Sequence, residues 1–408
     1  MRILHLGKYY PPTHGGIETV TRDLVEGTAG RGYQCDVIVA SQTAERKTET
    51  WYSNGTSYTV TRAATRMTIA STPLSPDYIR AFREVKDNYD LVILHLPNPL
   101  ACLALFLSGY RGTVGLIWHS DVIRQKVLLK TIQWLQSWTI KRAEFVIGAT
   151  PAHLEESDSA SVIGDKGTVI PFGLDPETAG LSCEEAASEV SAKERVNLLA
   201  VGRLVYYKGF TVLIEALAKL PDAYVLTIAG EGPMREELEQ KCASLSVSDR
   251  VNLAGRVSSE ELQRLFIECD IFCLPSIERA EMYGMVQLEA MSFGKPVVAT
   301  AIPRSGTRYV NRDGVTGFTV ASKDVDAFAA AIKRLGDDPE LRARCGRAAQ
   351  ELFQREYTVD KMVEHHIALY SRYIPSEREF SSTPSSKAVD QDLNVRSPET
   401  KSTHINAN

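Results

Sequence analysis

Four side chains carry most of the chemistry this sequence suggests. Glu281 and Glu289 stand eight positions apart in Glu281-Met-Tyr-Gly-Met-Val-Gln-Leu-Glu289, around a glycine that marks a helix start. Arg203 and Lys208 stand five apart in Gly202-Arg-Leu-Val-Tyr-Tyr-Lys208-Gly209. Free amides at a helix start hold anions, and carboxylates accept hydrogen bonds from sugar hydroxyls. An arginine fork offers paired hydrogen bonds and a lysine a compact charge, so the two together bracket a pair of phosphates. Phosphate and sugar recognition side by side suggest a sugar nucleotide. Taken alone, glutamates at this spacing describe a solvated helix face, and an Arg and a Lys in a loop describe plain surface. The flanking elements decide between these readings.

Those elements place all four residues beyond strand ends. Ile271–Leu274 reads as a buried strand, 276–283 as the loop after it, 288–293 as helix, Gly294 as its stop and 296–300 as the next strand. Arg203 and Lys208 follow the apolar run 196–201. In open α/β sheets ligands bind outside the carboxyl ends of the strands. The first half alternates in the same way: strand 2–6, a loop to Gly16, a helix from about Glu18, strands at 36–40, 91–94, 114–118 and 145–147, and a β-rich excursion around 58–61. Apolar runs without alternation suit parallel strands covered on both faces. After an acidic, Ala/Ser-rich stretch at 175–194 the pattern restarts with helix 211–219, strand 224–229 and helix 234–245. The expected organisation is an α/β chain with one Rossmann-like domain at 1–175 and a second at 195–357. A further helical segment is read at 358–375, and a polar tail at 376–408 is expected to be disordered.

Glu281 and Glu289, followed by Gly294-Lys-Pro296-Val-Val-Ala, resemble the Glu-x7-Glu motif of the retaining family 4 glycosyltransferases, and the resemblance extends over about the first 370 residues. It implies a GT-B fold, two Rossmann-like domains facing across a cleft, with the helix at 358–375 crossing back to the first domain. It also implies roles: Glu281 faces the hydroxyls of the donor sugar, Glu289 grips the ribose, and Met282, Tyr283, Gly284 and Met285 line the donor. Arg203 and Lys208 fall in a segment similar to the family's G-R-L-x-x-x-K-G and are assigned to the diphosphate. Gly15 and Gly16, between a strand and a helix, match the loop that closes over donor and acceptor, where paired glycines let backbone approach a phosphate. His119, at a strand terminus, matches a histidine facing the donor sugar, with Asp121 expected to orient its ring. A lone histidine is otherwise more often a satisfied structural residue. Arg256 and Val257 resemble the segment whose backbone meets the nucleobase. The family's I-P-N-G-V-D appears as Ile170-Pro-Phe172-Gly-Leu-Asp175, and Phe172 is assigned no ligand role.

The 408 residues suffice for two cores, and 44% hydrophobic with 24% charged residues is ordinary for a globular chain. A net charge of −5 gives no reason to expect nucleic acid. Seven scattered cysteines without a Cys-x-x-Cys suggest reduced thiols and a cytoplasmic protein. Neither a signal peptide nor a membrane span is read, and 100–107 is expected to be a core helix. Between 122 and 143 there is no acidic residue, while Arg124, Lys126, Lys130, Lys141 and Arg142 accompany Trp134 and Trp138. This suits peripheral contact with an anionic membrane presenting a lipid-linked acceptor; a packed helix with solvated lysines is the alternative.

The sequence thus leads to a metal-independent, cofactor-free transfer of a hexosyl group to a saccharide acceptor of cell-surface polysaccharide. The strings around Arg279 and His119 look most like bacterial mannosyltransferases of O-antigen and capsule assembly, which favours GDP-mannose over a UDP-hexose as donor. Two rivals stand beside it: a GT-B sugar-nucleotide epimerase, and a catalytically silent binding subunit. The presence of Glu281, Glu289, Arg203 and Lys208 together speaks against the second.

Overall fold

The computed structural model describes residues 1–13, 15–69, 72–121, 126–175 and 195–374, with backbone only for 126–132. The acidic linker from 176, Cys183, Arg124 and the tail from 376 lie outside the described residues, as do the side chains of Lys126 and Lys130.

Two sheets organise the chain. The first has eight strands in the order Gly167–Val169, Phe145–Gly148, Thr113–Trp118, Leu91–Leu96, Arg2–Leu6, Gln34–Ala40, Thr56–Ala63 and Lys47–Ser53. All its pairings are parallel except the last, where Lys47–Ser53 and Thr56–Ala63 form an antiparallel hairpin at the edge. The second sheet is wholly parallel, in the order Val251–Gly255, Tyr224–Ala229, Val196–Val201, Ile271–Leu274, Val297–Ala301 and Gly317–Ala321. In each sheet the order of connection reverses beside the first strand, so a crevice opens there at the carboxyl edge. Those points lie between Arg2–Leu6 and Leu91–Leu96 in one sheet, and between Val196–Val201 and Ile271–Leu274 in the other.

The strands form where unalternating apolar runs demand cover on both faces: every residue of Leu91–Leu96 and of Ile271–Leu274 is buried. Several of the helices begin at side-chain caps. Asn98 accepts the amide of Ala101 to start Pro99–Ser108, and Asp338 accepts that of Leu341 to start Pro339–Glu356. Pro99–Ser108 is not wholly a core helix as expected, because Phe106 and Leu107 are each 41% exposed at its end.

The chain passes between the sheets twice, and the two passages touch. The amide of Leu174 donates to Tyr357 O (2.8 Å) and that of Val359 to Leu174 O (3.2 Å). A Cβ on Gly173 would sit 2.4 Å from Thr358 O, so only glycine allows this approach. The following helix, Val359–Tyr373, packs on the first sheet's side: Tyr370 stacks on Phe145, Tyr373 tilts against the same ring, and Asp360 pairs with Arg31. One apolar cluster runs from the first sheet through Phe172 and Leu174 to Tyr283 and Leu288.

Candidate active site at the facing sheet edges

The loop after Ile271–Leu274 carries Glu281 into the crevice, and the loop after Val196–Val201 brings Lys208 to meet it. Lys208 Nζ lies 2.5 Å from Glu281 Oε2, with both side chains nearly buried at 13% and 10% exposure. Ser276 Oγ donates to the same oxygen at 3.0 Å. Burial alone would pull the lysine's pKa down, but the carboxylates of Glu281 and, more remotely, Glu289 hold it above the ordinary value. Gly209 makes the turn possible: its φ is +68°, and a Cβ there would lie 2.1 Å from Pro275 O.

Glu281 and Glu289 are separated by a helix start. Gly284 caps the helix Met285–Ser292 in the left-handed region (φ +74°), where a Cβ would come within 2.8 Å of Gln287 and 2.9 Å of Leu274. The helix start has no side-chain cap, and of its first-turn amides that of Gln287 donates to Gly284 O at 2.8 Å. Glu289, further along, is half-buried and lines a cavity of about 200 Å³ with Leu174, Ser259, Gln263 and Phe266. Burial pushes its carboxyl up to about 7, against the opposing charge of Lys208. The two glutamates therefore face different surroundings. Arg256 and Val257 lie in the loop just before Ser259, with Arg256 exposed. Arg203 is exposed at the end of Val196–Val201 and has no ion pair among the described residues.

From the first sheet, Gly15 and Gly16 lie at the start of the helix Gly16–Ala29, with Gly15 extended and Gly16 clear of any neighbour within 4 Å. His119 ends Thr113–Trp118, where its ring is 5% exposed and lies between those of His95 and Phe172, at centroid distances of 5.2 and 5.0 Å. Burial, followed by the neighbouring histidines, holds it well below the usual imidazole range and therefore neutral.

One expectation needs correction. Asp121 does not orient His119: its carboxylate takes Trp118 Nε1 (3.2 Å), Ser157 Oγ (2.7 Å) and the Asp158 amide (3.0 Å), and pairs with Arg279 from the other half. Its four donors leave no role toward the imidazole, which faces His95 instead. The Tyr283 hydroxyl donates to Phe172 O at 3.1 Å while its ring packs edge-on against Phe172. Phe172, assigned no ligand role, is the ring on which His119 and Tyr283 converge. The side chains that sequence reasoning missed are Arg279 and the buried histidines His5 and His95. Their signal was present: a histidine inside a strand covered on both faces needs a partner, and both Arg2–Leu6 and Leu91–Leu96 contain one.

Residues 14–178 match the model of glycosyltransferase family 4, and residues 183–352 that of glycosyl transferases group 1. The chain belongs to these GT-B glycosyltransferases and is an enzyme of that class. It is 30% identical over 380 residues to the O-antigen chain mannosyltransferase C of Escherichia coli, covering 92% of this chain and 100% of that protein. It is 31% identical over 363 residues to the D-rhamnosyltransferase WbpZ of Pseudomonas aeruginosa, covering 88% and 92%. Among solved structures, Anabaena Alr3699/HepE in complex with UDP superposes with a TM-score of 0.72 at 21% identity, over 91% of this chain and 100% of that one.

Proposed function

We propose that this enzyme transfers a hexosyl group, with mannosyl favoured, from a nucleoside diphosphate sugar to a sugar hydroxyl of a growing cell-surface polysaccharide, with retention at the anomeric carbon. The observation that carries the reading is the convergence at one sheet edge of a buried Lys208–Glu281 pair, an exposed Arg203 with no ion pair among the described residues, and a helix start. Lys208 keeps two of its three N–H groups beyond the one directed at Glu281, and these would meet the diphosphate with Arg203 from the solvent side. Negative charge grows on that diphosphate as the bond to the sugar breaks, so fixed cations there act mainly on the transition state. Glu281, oriented by Ser276 and Lys208, would accept hydrogen bonds from the sugar. Glu289 would accept the ribose hydroxyls in its own cavity, with the base along Arg256 and Val257. The name of the Escherichia coli relative, an O-antigen chain mannosyltransferase, is what favours a surface glycan and a mannosyl group, whereas the Pseudomonas aeruginosa relative is named for a D-rhamnosyl group.

No metal is assigned to the reaction, because the charges of the leaving group are met by side chains and amides. Release of nucleoside diphosphate from a panel of donors, with acceptor present and a strong chelator added, tests the reading. Loss of turnover on chelation, restored by magnesium or manganese, would overturn the metal-free part.

The acceptor would be lipid-linked and the enzyme peripheral. In support, Trp134 is 55% and Phe106 41% exposed, and Phe106 packs edge-on to Trp134 and Trp138. Among the described residues no helix is long and apolar enough to cross a membrane. Trp134→Ala with Phe106→Ser is expected to reduce co-sedimentation with anionic vesicles several-fold, and unchanged sedimentation would remove the proposal.

A further inference from the structure

Three buried histidines run in single file beneath the site. His5 Nδ1 lies 2.9 Å from His95 Nε2, and His95 Nδ1 lies 3.0 Å from His119 Nε2. Each contact needs one proton, and neutral imidazole supplies one per ring. The direction of the file is settled by Thr21. Its hydroxyl donates to Ile17 O at 2.8 Å, which leaves a lone pair toward His95 Nδ1 at 3.1 Å. His95 Nδ1 must therefore carry a hydrogen, shared between Thr21 Oγ1 and His119 Nε2. His95 Nε2 is then a bare acceptor and His5 Nδ1 its donor. His5 Nε2, buried without a partner, becomes an unpaired lone pair rather than an unpaired N–H, the less costly of the two. All three rings are pushed well below the ordinary histidine range by burial first, His5 to about 3, so the file stays neutral.

With Nε2 of His119 engaged as an acceptor, its single proton sits on Nδ1, which makes no hydrogen bond among the described residues. We propose that His95, itself fixed by Thr21 and His5, is a positioning residue that locks His119 in the Nδ1–H tautomer, so that His119 presents a hydrogen-bond donor, and not a base, to the transferred sugar. The sugar as target rests on the function proposed above; the tautomer does not. The ring's tilt is held on its other face by Phe172. A hydroxyl or ring oxygen of the sugar would be the acceptor, with no proton transferred.

The test is long-range proton–nitrogen correlation spectroscopy of the full chain labelled with nitrogen-15 histidine, at neutral pH and without ligand. His119 is expected in the Nδ1–H form in the wild type. In His95→Phe, which offers nothing to Nε2, the two tautomers are expected to mix and kcat to fall about tenfold with donor KM little changed. His95→Asn, whose amide N–H stands near the Nδ1 position, is expected to restore both the single tautomer and most of the turnover. Thr21→Val serves if His95→Phe fails to fold, since it removes the acceptor that fixes the His95 proton and should also mix the His119 forms. An Nε2–H tautomer in the wild type, or one tautomer unchanged in both His95→Phe and Thr21→Val, would overturn the proposal. A fixed Nδ1–H tautomer together with no transfer from any donor would instead leave the tautomer standing and refute the function.

Discussion

Lys208 and Glu281 suit different parts of a donor by their chemistry, and the fold joins them to each other. That changes what a substitution does. Lys208→Ala leaves a nearly buried carboxylate without its cation, and breaking such a pair costs on the order of 3–5 kcal/mol. The variant is expected to be both inactive and destabilised, while Lys208→Met with Glu281→Gln is expected to recover most of the stability without activity. Urea denaturation separates the cases, and equal stability of Lys208→Ala and wild type would show that the pair is not formed in solution. Glu289 supplies a second expectation. An unfolded glutamate titrates near about 4.3, whereas the folded group is pushed up to about 7. The folded chain then holds the proton more tightly, so this group's contribution to stability is complete at acid pH and is lost as pH rises through 7. Between pH 4.5 and 8, Glu289 should lower stability by on the order of 1–3 kcal/mol, and Glu289→Gln should flatten that slope. Parallel slopes in the two proteins would contradict the burial argument. The chemical types of these residues were legible because Arg, Lys and Glu beyond strand ends have few structural uses. Their pairing was not, since it depends on two loops 73 positions apart, Lys208 to Glu281, meeting in space.

At the scale of elements, unalternating apolar runs made the parallel strands plain, and the element starts were less so. The helix expected from 288 begins at Met285, because Gly284 in its left-handed conformation supplies the cap that a hydrophobic pattern does not reveal. The helix expected from Glu18 begins at Gly16, after an extended Gly15 and without a side-chain cap. Loop-to-loop contacts were invisible to periodicity altogether. Arg279 reaches Asp121 and Asp158, Arg304 reaches Asp158, and Arg308 reaches Glu156, so loops of the second sheet hold loops of the first. Most of these pairs are exposed and each is weak, but Arg279–Asp121 is buried against Trp118. Arg279→Ala is expected to raise donor KM several-fold with kcat lowered less, because it loosens how the two loops meet and leaves Lys208 and Glu281 in place. Steady-state kinetics decide it; a selective loss of kcat would instead place Arg279 in the chemistry.

Over the whole molecule, two sheets with the same reversal of strand order present their carboxyl edges to one another, and the residues assigned to the donor stand at those edges on loops and helix starts, except Glu289, which lies inside the helix Met285–Ser292. The return of Val359–Tyr373 onto the first sheet is legible only through the family resemblance, and the contact of Leu174 with Tyr357 is where the chain makes it. The central claim is that the second sheet's edge binds a nucleoside diphosphate sugar and divides it between two glutamates. Release of nucleoside diphosphate by wild type, Glu281→Gln and Glu289→Gln, across GDP-mannose and UDP-hexoses with acceptor and chelator present, tests it most directly. The expected result is turnover by the wild type, fastest with GDP-mannose, a fall in kcat for Glu281→Gln, and a rise in donor KM for Glu289→Gln. No release from any donor, or variants that both match the wild type, would contradict it.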